Sequence, residues 1–124
     1  MSRVTHFEIS ADDPEKMVEF YKQVFGWEIN KWEGPAEYWL VSTGDPDSPG
    51  IDGAIFNSGE LFSGTVNMVE VENLDDALER ITQNGGEALS AKNIIPGVGY
   101  HAYCKDIEGA IFGIIQSDPQ AGIG

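Results

Sequence analysis

The chain says nearly the same thing twice, about sixty positions apart. Residues 7–27 run through an alternating strand, a polar cap at Asp13, an amphipathic helix and a glycine stop at Gly26. Residues 67–87 repeat that order with a cap at Asn73 and a stop at Gly86. Asp13 falls on Asn73, Met17 on Ala77, Val18 on Leu78, and Tyr21 on Ile81. A solenoid needs three or more such units, so two copies argue for a pair of packed modules.

Local signals fill in each module. The first strand is expected from Val4 to Ser10. A helix follows, with Asp13 as N-cap and Pro14 at the first helical position, where the missing N–H does no harm. Met17, Phe20, Tyr21, Val24 and Phe25 recur at helical spacing and are expected to form one buried stripe. Strands are expected at Trp27–Trp32, Tyr38–Thr43 and Gly53–Asn57, with a turn-rich loop over Gly44–Gly50. The second module begins at Thr65–Glu72. Its helix turns Leu74, Ala77, Leu78 and Ile81 inward and stops at Gly85-Gly86. Strands near Glu87–Ser90, Gly99–Cys104 and Ala110–Gln116 complete it. The result is a single α+β domain over residues 1–124, with module one at about 3–58 and module two at about 64–116. The tail 117–124, with two glycines and a proline, is expected to be mobile.

Bulk properties narrow the class of partner. Seven basic against twenty-one acidic residues give a formal charge of −14, a surface that repels phosphate backbones and anionic lipid. Nucleic acid and membrane partners are therefore not expected. No run approaches the ~20 apolar residues of a membrane span, and Met-Ser-Arg-Val-Thr-His lacks a signal peptide's apolar core. Cys104, the single cysteine, cannot form an intramolecular disulfide. A cytoplasmic location is the expectation. No Gly-x-Ser-x-Gly elbow or phosphate loop occurs.

Each module reads β-α-β-β-β, and several phrases occur in order along it. His6-Phe-Glu-Ile-Ser-Ala-Asp-Asp-Pro-Glu15, Phe20-Tyr21, Val24-Phe-Gly-Trp27 and Tyr38-Trp39 come first. Ile95-Pro-Gly-Val-Gly-Tyr100, Lys105-Asp-Ile-Glu-Gly109 and Phe112-Gly113 follow. Together they resemble a glyoxalase-like branch of the vicinal-oxygen-chelate superfamily, which includes glyoxalase I, extradiol dioxygenases, and bleomycin-binding and fosfomycin-resistance proteins. The resemblance spans about residues 3 to 116. It implies the glyoxalase/bleomycin resistance fold, with curved mixed sheets around a cavity and both helices on the convex side, and it implies a homodimer.

The resemblance also implies where a metal would sit, because metal-dependent members draw one ligand from the first strand and one from the last strand of each module. His6 matches the first position. Its equivalent in module two is Val66, and Gly113 stands where the family carries glutamate. Near the matching region of module one only Asp52 is a carboxylate. A catalytic metal needs about three protein ligands, so no metal and no other cofactor is expected, although a displaced divalent site remains an alternative.

Strand alternation sorts the remaining candidates. Phe7 and Ile9 should pack under the first helix, which sends His6, Glu8 and Ser10 to the opposite face. In module two Val69 and Val71 should pack inward, leaving Val66, Met68 and Glu70 on the cavity side. The ligand-binding candidates are His6, Glu8, Trp39, Met68, Glu70 and Tyr103, the two aromatics chosen as strand residues with polar tips. The leading expectation is a protein that binds a small molecule in the cavity between its two modules, without the family's metal site. The rivals are a metal-dependent lyase, isomerase or dioxygenase with displaced ligands, and a non-catalytic interaction module.

Overall fold

The computed structural model describes residues 2–123. The chain divides into two compact units, one spanning His6–Val66 and the other residues 67–123 with residues 2–5. The boundary falls where the sequence repeat restarts.

The first unit contains β1 (Arg3–Ser10) from His6 onward, α1 (Pro14–Phe25), β2 (Glu28–Lys31), β3 (Tyr38–Ser42) and β4 (Asp52–Phe56). Its strands lie in the order β2-β3-β4-β1, with β1 parallel to β4 and the other pairs antiparallel. Asp13 caps α1 by accepting the Lys16 N–H, and Gly26 closes it in a left-handed conformation with φ of 70°. An αL residue at that point satisfies a terminal carbonyl at no cost to glycine. Ile9, Val18, Ile29, Trp39, Val41 and Ile55 form the core between helix and sheet.

The expected helix stripe needs correction. Val18 is the buried residue of α1, with Met17 and Tyr21 packed half-buried against the core. Phe20, Val24 and Phe25 are 55%, 52% and 60% exposed. Successive residues turn about 100° around a helix, so Phe20 and Val24 flank the sheet-facing arc instead of lying within it. Phe25, in the last turn, stacks on Trp27 with ring centroids 5.2 Å apart.

The second unit holds β5 (Gly64–Glu70) from Asn67 onward, α2 (Leu74–Gln83), β6 (Glu87–Ala88), β7 (Asn93–Ile95), β8 (Gly99–Lys105) and β9 (Ile111–Ser117). The strand order is β5-β9-β8-β6, and β7 also pairs with β8. Asn73 caps α2 by accepting the Asp76 N–H. Val71, Leu74, Ala102, Cys104 and Ile114 form this unit's core. Burial pushes the Cys104 thiol pKa up, in keeping with a small apolar role.

One feature differs from expectation here. The short strand β7 was not anticipated. The segment after Ser117 also makes backbone hydrogen bonds over its described part. Asp118 N–H donates to Val98 O, Gly97 N–H donates to Ala121 O, and Ala121 is fully buried. The Tyr100 hydroxyl also donates to Asp118, at 3.3 Å. Backbone pairing with the β7–β8 turn holds this tail despite its glycines. Gly124 lies outside the described residues.

Candidate functional site

In the first unit, register decides what shares the face turned away from α1. His6 lies opposite Asp52, Glu8 opposite Ala54, and Ser10 opposite Phe56. Leu40 lies between Ala54 and Asn30, while Ser42 lies opposite Glu28. The face therefore carries a row Glu8–Ala54–Leu40–Asn30 and a row in which His6, Asp52, Ser42 and Glu28 follow. The second row borders a cleft of about 300 Å³ lined by His6, Glu28, Asn30, Leu40, Ser42 and Asp52.

Glu8 is 2% exposed, the one buried charged side chain among the described residues. The Tyr38 hydroxyl, thirty residues on, donates a hydrogen bond to its carboxylate. Buried carboxylates persist only when such donors replace water. His6 sits between Glu8 and Asp52 in the field of both. Burial nevertheless dominates and holds its pKa below the ordinary 6.5, with Glu8 and then Asp52 pulling the other way. His6 is thus neutral at pH 7 and offers one donor and one acceptor.

Asp52 accepts the backbone N–H of Thr43 at 2.9 Å, which fixes the carboxylate at the cleft edge. Neither Asp52 nor Glu28 forms an ion pair among the described residues. The cleft is an uncompensated negative site with an apolar patch at Leu40, which is 45% exposed.

An aromatic series runs beside this face. Tyr38 packs on Phe56 with centroids 4.9 Å apart, Phe56 on Phe62 at 5.9 Å, and Trp32 on Tyr38 at 6.2 Å. Trp39 is not part of it. That residue is 8% exposed and lies in the helix-side core with Ile9 and Ile55, opposite Ile55 across β3 and β4. The expected Trp39 wall is therefore corrected by one pleat, and Tyr38 takes the place proposed for it.

The second unit places its candidates on the corresponding face. Met68 lies opposite Gly113, and Glu70 opposite Ile115. Tyr103 lies opposite Gly113, and His101 opposite Ile115. Met68 and Tyr103 are buried, and Glu70 is half-buried. The rings of His101 and Tyr103 meet edge to face at 5.4 Å, and His101 Nδ1 is buried without a hydrogen-bond partner. No spacing in the sequence singles out His101.

The residues do not fit the family's metal set. Val66 is buried and apolar. A Cβ at Gly113 would fall 2.2 Å from Met68 Sδ, so the methionine fills the space a ligand side chain there would need. Among the described residues no group of three His, Cys, Asp or Glu side chains converges closely enough to hold a metal ion.

Comparison with known proteins agrees with this architecture. Residues 3–44 match the family described as bleomycin resistance protein-like N-terminal. A glyoxylase-like domain-containing protein of Didymella fabae is 29% identical over 112 residues, covering 86% of this chain and 88% of the relative. Methylmalonyl-CoA epimerase from Mycobacterium tuberculosis superposes with a TM-score of 0.66 at 15% identity, covering 94% of this chain and 88% of that one. A hypothetical protein from Bacillus halodurans reaches 0.70 at 11% identity, covering 97% of each chain. At such identities the structural likeness speaks for the fold and is silent on the reaction.

Proposed function

We propose that this chain, which has the glyoxalase/bleomycin resistance fold and resembles the vicinal-oxygen-chelate superfamily, binds a cationic small molecule without a metal. The seat is the first unit's cleft. The observation that carries this reading is the gathering of Glu28 and Asp52, neither in an ion pair among the described residues, beside His6 and Leu40 on one face. Buried Glu8 stands in the adjoining row and adds to the negative field.

Physical chemistry selects the guest. An anion entering the cleft meets two carboxylates and a surface of −14 net charge, whereas a cation is drawn in by both. Each charge-assisted hydrogen bond contributes about 1.5–3 kcal/mol, and contact with Leu40 adds about 25 cal/mol per Å² covered. Those terms reach micromolar affinity once the cost of immobilising the ligand is subtracted. Neutral His6 donates or accepts one further hydrogen bond, which sets orientation. Met68, Glu70 and Tyr103 remain proposed ligand contacts of the second unit, and no cofactor is part of the proposal.

A thermal-shift screen tests this. Cationic, neutral and anionic small molecules of matched size are compared at low and moderate salt. The reading predicts that the cations raise the melting temperature, less so as salt increases. Preferential stabilisation by anionic thiol conjugates or 2-oxo acids would contradict it and favour a glyoxalase-type reaction instead.

A further inference from the structure

We propose that Asn84, the residue that caps the C-terminal end of α2, is a site of spontaneous covalent conversion in which its side-chain amide is lost to the backbone of Gly85. The reaction consumes only water. The Gly85 amide nitrogen attacks Asn84 Cγ and gives up its proton, ammonia leaves, and a succinimide ring forms. Water then opens either carbonyl of that ring, which leaves aspartate or isoaspartate at position 84. Ring closure requires a following nitrogen that is uncrowded and weakly engaged. Asn84-Gly85 is the single Asn-Gly pair among six asparagines, so no Cβ hinders the attack. Both residues are exposed. The Gly85 N–H donates only to Thr82 O, at 3.3 Å, a long contact at a helix end, where fraying is common.

The other asparagines are held away from this reaction. Asn30, Asn67 and Asn93 lie in β2, β5 and β7 and precede lysine, methionine and isoleucine. Asn73 caps the start of α2, and the N–H of Leu74 after it donates to Gln116 Oε1 at 2.8 Å. The N–H of Ser58, which follows Asn57, donates to Ser10 Oγ at 3.1 Å. Position gives the conversion its consequence. Asn84 Nδ2 donates to Arg80 O at 2.7 Å and so satisfies a carbonyl at the helix end. Aspartate replaces that donor with an oxygen, and either product sets a negative charge at the negative end of the helix dipole. Isoaspartate also routes the main chain through Cβ and Cγ, just before Gly86, whose N–H donates to Ile81 O at 2.9 Å. Ile81 packs on the unit's core. Conversion of one exposed amide therefore loosens the end of α2 and the packing beneath it.

Peptide mapping of the folded chain, aged at mildly alkaline pH and sampled over weeks, tests this. Trypsin cutting after Arg80 and Lys92 releases residues 81–92, in which Asn84 is the one asparagine. That peptide should acquire aspartate and isoaspartate before any other asparagine converts. The rate should rise with pH, because the attacking nitrogen must lose its proton. Asn84→Gln keeps the amide on a longer side chain and should leave the peptide unconverted over the same period. Asn84→Asp should lower the melting temperature by several degrees, with the fold retained by far-UV dichroism. Conversion first at another asparagine, or an intact 81–92 peptide after ageing, would overturn the proposal. An Asn84→Asp chain that melts with the wild type would overturn its consequence for α2.

Discussion

Glu8 shows how one side chain ties the fold to its chemistry. Its carboxylate is out of water, and Tyr38 returns part of the lost hydration as a hydrogen bond. Tyr38→Phe removes that donor and should cost about 1–3 kcal/mol in urea unfolding, the range for a buried polar group losing a partner. His6 supplies a pH dependence whose sign follows from its lowered pKa. The unfolded chain takes up a proton near pH 6.5 and the folded chain only at lower pH, so stability falls as pH drops below about 6.5. It does not recover below the folded pKa. His6→Gln should flatten this part of the acid-side loss in melting curves recorded from pH 8 downward, and an unchanged slope would show that His6 is not its source. The first strand made this site legible, because Phe7 and Ile9 alternate cleanly with His6 and Glu8. Trp39 was misassigned for the opposite reason. Tyr38-Trp39-Leu40-Val41 is apolar or aromatic throughout, so alternation gives no parity, and only the pairing with Ile55 settles which face Trp39 takes.

Among elements, the two helices were the most readable, since caps and stops are local chemistry. Asp13 and Asn73 each accept an N–H three residues on, as their positions in the repeat imply. Asn73→Ala should cost about 0.5–2 kcal/mol, read as a lower denaturant midpoint with unchanged slope. What the periodic pattern could not reveal is how wide an arc the sheet covers. The apolar arc of α1 is broader than the contact beneath it, which leaves Phe20 and Val24 outside. Strand β7 was illegible because three residues are too few to show a period, and its pairing with β8 depends on the Gly97 turn. The tail's hydrogen bonds were illegible because composition says nothing about backbone pairing with a distant turn.

The whole molecule is a strongly acidic protein whose repeat fixes the fold while its departures from the repeat shape the site. Gly113 under Met68, and buried Val66, offer no donor at two positions where the family resemblance implies metal ligands. Added Zn²⁺, Ni²⁺ or Mn²⁺ should therefore barely move the melting temperature, whereas a ligand binding only the folded state at a hundred times its Kd would add about 2.7 kcal/mol. A large shift abolished by His6→Ala would reverse this conclusion. The central claim, that the cleft of the first unit takes a cation, is tested most directly by calorimetric titration with benzyltrimethylammonium and with benzoate. The account predicts heat and saturation with the cation only, affinity falling with salt, and an affinity loss of about tenfold or more in Glu28→Gln, in line with the loss of one charge-assisted contact. Binding of benzoate in preference to the cation, or cation binding indifferent to Glu28→Gln, would contradict it.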